Sequence, residues 1–216
     1  MLIFIHVATI GRYNDIFQEI LKRLSDSGLY QRADEINIGV AGNKPLHLPD
    51  DKIKIVSVGN LDQFEFITLK QIQIASNSQN ANILYLHTKG VSFSNECIED
   101  WRKYMLYFLV NKSDVCIKEL ETFDTVGVDW RMEPCPHYSG NFWWSKSSYL
   151  KTLPSIEYIS SESYKPLLTL RHNAEFWIGM NTNVKAKSLW DCGINQMQRH
   201  LFRYPESMYI KETDEN

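Results

Sequence analysis

His87, Thr88, Lys89 and Gly90 follow directly on the apolar run Ile83-Leu84-Tyr85-Leu86, and together they have the parts of an anion site. Lysine can neutralise a phosphate, while His, Thr and exposed backbone N–H groups can hydrogen-bond its oxygens. Glycine permits a tight path or close approach of backbone to ligand. A surface turn with one core-facing histidine accounts for the same four residues, so the tetrapeptide alone decides nothing. The chain has no Walker motif, and Gly39-x-x-Gly42 falls short of a dinucleotide fingerprint. A nucleotide held here would be held by another route.

A second group is Pro136-His137-Tyr138-Ser139-Gly140-Asn141-Phe142-Trp143-Trp144. Aromatic rings can stack on a sugar, with Asn, Ser, His and indole groups satisfying its hydroxyls, or the segment can be core packing around a specific turn. Adjacent indoles in a strand point to opposite faces, so only one of Trp143 and Trp144 is expected at any one pocket. Asp129, at a strand end, and Glu175, beside Phe176 and Trp177, could bind a cation, orient a hydroxyl or act as a base. A strand-end cap and a surface carboxylate are their plainer roles. Glu65, in Glu65-Phe66-Ile67-Thr68-Leu69, can cap a helix, the simpler reading, or recognise ligand donors. Thr9 and Tyr13 could line a base pocket. Cys135-Pro136-His137 lacks a convergent ligand set and is a weak metal signal.

These residues need a frame to converge. Leu2 to Ala8 reads as a central parallel strand, followed by a turn and a helix whose buried stripe is Ile16, Phe17, Ile20, Leu21 and Leu24, opened by an Asp15/Gln18 capping box and closed near Gly28. Strands are predicted at 35–42, 52–58 and 83–86, with a loop at 43–51 and a helix over 66–76. A helix carrying Trp101, Met105, Phe108 and Leu109 comes next. The later half is less regular, with strands near 126–128, 141–144 and 184–190 and short helices after Ser145 or Ser147 and around 173–178. Strands separated by helices argue for a doubly wound α/β sheet.

The chain has 216 residues, 44% of them hydrophobic, which suits a single domain over 1–210 with a polar tail at 211–216. A formal charge of -3 with no long basic block disfavours nucleic acid as a partner. Cys97, Cys116, Cys135 and Cys192 are scattered, as expected of free thiols in a reducing, cytoplasmic compartment. The apolar stretch at the start is too short to span a bilayer, and no transmembrane segment is expected.

Taken in order, Tyr85-Leu86-His87-Thr88-Lys89-Gly90, Trp101-Arg102-Lys103-Tyr104-Met105, Val126-Gly127-Val128-Asp129-Trp130, His137 to Trp144 and Glu175-Phe176-Trp177-Ile178-Gly179 resemble a family of small glycosyltransferase-like proteins known mainly from large viruses and bacteria. The resemblance implies a GT-A-type, nucleotide-diphosphosugar transferase fold: a central, mostly parallel twisted sheet flanked by helices. It implies transfer of a hexosyl or deoxyhexosyl group from a nucleoside-diphosphate sugar, a UDP-sugar before others, to a hydroxyl of a glycan acceptor. Thr9, Tyr13, Glu65 and Thr68 would then belong to the nucleotide side, His87 to Gly90 to the diphosphate, and Ser139, Gly140, Asn141, Trp143 and Trp144 to the sugar. Glu175 would be the base, with Lys89 and His87 stabilising the leaving group. Many GT-A enzymes hold Mn²⁺ or Mg²⁺ with an Asp-x-Asp element where this chain has His87-Thr88-Lys89. The metal expectation therefore passes to His87 and Asp129. A nucleotide- or glycan-binding module without turnover and a nucleotidyltransferase are the alternatives.

Overall fold

β1 (Leu2–Ala8) is apolar along its length because both of its faces are covered. Ile3, Ile5 and Val7 enter one core cluster and Leu2 and Phe4 the other, the two-residue alternation of a strand between two layers. The structure, a computed structural model, describes residues 1–92 and 95–210. The polar tail expected at 211–216 lies outside them.

After β1 the chain enters α1 (Tyr13–Asp26), which buries the five residues of the predicted stripe. The Asp15/Gln18 capping box does not form. The helix starts earlier, with Arg12 at the cap position and no side-chain cap, and Asp15 instead lies in the first turn, where its charge suits the helix dipole. Gly28, at φ 73°, turns the chain into the short α2 (Leu29–Arg32). β2 (Glu35–Ala41), β3 (Ile53–Gly59), α3 (Phe66–Ser78) and β4 (Asn82–His87) follow close to their predicted places.

α4 (Glu96–Leu106) opens on Asn95, whose Oδ1 accepts from the N–H groups of Cys97 and Ile98 at 2.8 and 3.3 Å. A π-helical turn over Tyr107–Asn111 carries it into α5 (Ser113–Glu119). The remaining elements are β5 (Thr125–Gly127), β6 (Trp130–Arg131), β7 (His137–Tyr138), β8 (Trp143–Lys146), α6 (Ser147–Leu150), α7 (Ile156–Ile159), α8 (Leu170–Phe176) and β9 (Ala186–Ser188).

Seven strands form one sheet in the order β3-β2-β1-β4-β8-β5-β9, with β6 and β7 as a separate pair. β1 to β4 are mutually parallel, β8 runs antiparallel to β4 and β5, and β9 is parallel to β5. This mixed, mostly parallel sheet with helices on both faces has the general Rossmann-like α/β architecture of nucleotide-binding domains. Trp143 and Trp144 lie on β8 and point to opposite faces, each into its own core cluster. Burial on that scale is worth on the order of 4–6 kcal/mol of transfer free energy for each ring. Cys97, Cys116, Cys135 and Cys192 are free thiols. Among the described residues, no helix is long and apolar enough to cross a membrane.

Candidate functional site

Where β1, β2 and β4 end, their following loops surround a cavity of about 330 Å³ whose walls include His6, Glu65, the segment His87 to Ser92, Trp101 and Arg171. Loops at the carboxyl ends of an open α/β sheet are where ligands collect. The turn after β4 is fixed mainly through its backbone. Thr88 N–H donates to His6 O at 3.0 Å, and the Thr88 hydroxyl accepts from Ala8 N–H at 3.2 Å. Buried Arg102 donates through Nη1 to Lys89 O at 2.9 Å while its Nη2 and Nε are bound by Glu19 at 2.8 and 3.2 Å. Gly90 sits at φ 90°, and a Cβ there would come within 2.9 Å of Ile98 Cγ2, so the turn requires glycine on both counts.

The Lys89 ammonium stands 3.9 Å from the centre of the Trp101 ring. It makes no ion pair among the described residues. Burial lowers its pKa, opposed first by the negative charge of Glu175 and then by that of Glu65. Arg171 brings a second cation, a guanidinium, to the same cavity, also without an ion pair among the described residues. Lys89 and Arg171 thus present two cations to a space whose wall carboxylate, Glu65, is engaged by Tyr85 and Asn141, an arrangement suited to an anion.

The two histidines contribute no charge. His87 Nε2 lies 2.9 Å from Gly140 O, and because a carbonyl only accepts, Nε2 holds the proton and Nδ1 carries the free lone pair. Burial, followed by the Lys89 charge, pushes its pKa down to about 3. His6 pairs in register with His87 across β1 and β4, its Nδ1 2.8 Å from the Thr68 hydroxyl, and burial pushes it down to about 4. His87 therefore cannot share the electrostatic role with Lys89 near neutral pH. Of the expected pair, the lysine alone is a cation.

Glu65 sits at the N-terminus of α3 but does not cap it. Its side chain turns inward and accepts from Tyr85 OH at 3.0 Å and from Asn141 Nδ2 at 2.5 Å, while Asn141 Oδ1 accepts from Trp143 Nε1 at 3.0 Å. Asn141 holds this bridge from a left-handed backbone, φ 56°. Gly140, before it, packs so closely that a Cβ would meet Met105 Sδ at 2.5 Å. Trp144 Nε1 donates to Leu109 O at 2.8 Å. Both indoles are fully buried, so neither is a stacking platform for a sugar, in correction of the expectation from this aromatic run. Ser139 is buried too, its N–H donating to Asp129 O at 3.1 Å.

Thr9 and Tyr13 also serve the frame. The Thr9 hydroxyl donates to Ala41 O at 3.2 Å and accepts from Lys44 N–H at 3.3 Å, and Tyr13 OH donates to Pro45 O at 2.9 Å. They fasten the loop after β2 and are not part of the cavity wall. Thr68 stands behind His6, fully buried.

Asp129 lies beyond β5 in a left-handed conformation, φ 53°. Its Oδ1 accepts from Cys192 N–H at 2.8 Å and from Arg131 at 3.2 Å, whereas its buried Oδ2 has no partner. Burial raises its pKa, and burial together with Asp129 pushes the Cys192 thiol up to about 11. Ligand atoms of Asp129, Asp191 and Cys192 lie within 4.8 Å of one another, a small acidic and thiol cluster able to hold a divalent cation. A cation would supply the charge that Asp129 Oδ2 lacks, in competition with Arg131, which already reaches both carboxylates. His87 is not in this group, so the two expected metal ligands do not assemble into one set.

Glu175, on α8, lies in the wall of a second cavity, of about 840 Å³, beside Arg131, Glu133 and Asp191. Its negative charge also acts on Lys89, His87 and Tyr85, although it is not in the wall of the first cavity. The structure thus brings His87, Lys89, Gly90 and Glu65 to the first cavity, sets Glu175 in the wall of the second, and moves Thr9, Tyr13, Trp143 and Trp144 into the frame. Sequence reasoning missed His6, Arg102 and Arg171. Arg171 was within reach of a helical reading, four positions before Glu175 on one helix; His6 was not, because its pairing with His87 is a matter of strand register.

No curated protein matches the chain. Residues 10–189 match the model of the family described as "Domain of unknown function (DUF8361)", and the chain belongs to that family.

Proposed function

We propose that this protein is a GT-A-type glycosyltransferase that moves a hexosyl or deoxyhexosyl group from a nucleoside-diphosphate sugar, with UDP as the favoured carrier, to a hydroxyl of a glycan acceptor. The observation that carries the reading is Lys89: an ammonium without an ion pair among the described residues, at the carboxyl end of a parallel strand, with Arg171 beside the same cavity and the Glu175 carboxylate acting on it. The mostly parallel sheet that the sequence resemblance implies supports it as well.

In this mechanism Lys89 and Arg171 meet the negative charge that grows on the departing diphosphate, in a partly desolvated site where such charges count for more. Glu175 accepts the proton of the attacking hydroxyl in an inverting displacement: the acceptor oxygen bonds to the anomeric carbon as the bond to the diphosphate oxygen breaks. His87 acts by position, tying the turn to Gly140. Asp129, Asp191 and Cys192 are the residues that would hold a divalent cation, which when bound supplies Lewis-acid charge. The test is to incubate the protein with UDP-, GDP- and dTDP-sugars, with and without Mn²⁺ and with a no-acceptor control, and to measure the nucleoside diphosphate released. Pyrophosphate release instead would identify a nucleotidyltransferase, and binding without turnover a recognition module.

A further inference from the structure

The second cavity differs in chemistry from the first. Arg131, its cation, is engaged by Asp191 at 2.7 and 3.0 Å and by Asp129 at 3.2 Å. Glu133 and Glu175 line the same space with no ion pair or hydrogen-bond donor among the described residues. The free charge inside is therefore negative. Apolar side chains also stand exposed in its wall: Met132 is 64% and Leu168 54% exposed, and the His172 ring stacks on Phe176 with centroids 5.9 Å apart.

From this we infer that the 840 Å³ cavity seats the acceptor, and that the acceptor is a saccharide without negative charge, its hydroxyl turned to Glu175 and an apolar face or aglycone against Met132 and Leu168. The inference rests on the transferase reading for the word acceptor, but the selectivity follows from the cavity alone. Two unpaired carboxylates repel a uronic acid or a phosphorylated sugar, and exposed apolar side chains favour a ring's hydrophobic face. The two cavities then sort two substrates by charge: the anionic donor beside Lys89 and Arg171, the neutral acceptor beside Glu133.

The experiment is a binding titration of the full chain, without donor, followed by saturation-transfer NMR. Phenyl β-glucoside, β-galactoside and β-N-acetylglucosaminide are compared with phenyl β-glucuronide and β-galacturonide. The neutral glycosides are expected to bind about tenfold more tightly than the uronides. Glu133→Gln should narrow that gap severalfold by improving uronide binding, and Leu168→Asp should weaken the phenyl glycosides. Uronides binding as well as the neutral sugars, binding indifferent to both substitutions, or no glycoside binding at millimolar concentration would each overturn the inference. Glycoside binding with no turnover of any donor would sink the transferase reading and leave the selectivity standing. Transfer onto a uronide but not onto its neutral counterpart would do the reverse.

Discussion

Lys89 and Trp101 form a cation–π pair, with the ammonium 3.9 Å from the ring centre, and among the described residues this contact is what the lysine has in place of a carboxylate partner. Such a pair is worth about 0.5–2 kcal/mol, less than a buried salt bridge would demand to be broken, so the ammonium can be shared with an incoming anion. Lys89→Met is expected to weaken UDP binding by about 10- to 100-fold, the range for a charge-assisted contact, with little loss of melting temperature. Calorimetric titration of UDP alongside a thermal melt checks both. Unchanged affinity would place the diphosphate elsewhere.

Glu175→Gln keeps the shape of the side chain and removes its basicity. Loss of a general base lowers kcat by about 10²- to 10⁴-fold. Donor affinity should hold or improve, because a negative charge that acts on Lys89 has been removed. Single-turnover kinetics together with donor titration separate the two effects. A variant with full kcat would end the role of Glu175 as base.

Asn141 carries the bridge between Glu65 and Trp143 from a left-handed backbone. Asn141→Ala leaves a buried carboxylate and an indole N–H each short of a partner, at a cost of about 2–4 kcal/mol. Asn141→Gly suffers the same losses but eases the backbone, so it should be less destabilised, by about 1 kcal/mol. Urea denaturation of the two variants gives both numbers. Equal stability of Asn141→Ala and the parent chain would show that the network carries no net free energy.

The two buried histidines set a pH dependence. Their pKa values fall from 6.5 to about 4 for His6 and about 3 for His87 in the fold. Between those values and 6.5 the unfolded chain binds protons that the folded chain refuses. Stability therefore rises with pH across that window, and this contribution is complete above it. The urea midpoint at pH 7 should exceed that at pH 5, and His6→Asn should flatten the slope. An identical slope in the variant would mean that His6 is not the group responsible.

The frame of this site was legible and much of its lining was not. The periodicity of α1 and the apolar runs of β1 and β4 are local signals, and they place the strand-end turn correctly. The aromatic run at 142–144 misleads as a sugar platform because an indole's apolar surface suits a core as well as a ligand, and only the neighbouring strands decide between the two. Sequence favours Glu65 as a cap because it stands at a helix start. What turns it inward is a tyrosine on β4 and an asparagine beyond β7, both distant along the chain. The role of Arg102 likewise depends on Glu19, on another helix.

Arg102 grips the carbonyl of Lys89 and leaves its side chain alone. The main chain at this position is a mounted socket and the side chain an interchangeable tool. Exchanging the lysine for an arginine, a histidine or a carboxylate changes what the site presents while the mounting, clamped through Glu19 and Arg102, holds still. A fold so arranged can acquire new ligand preferences one substitution at a time, without first relearning how to place the residue that makes the contact.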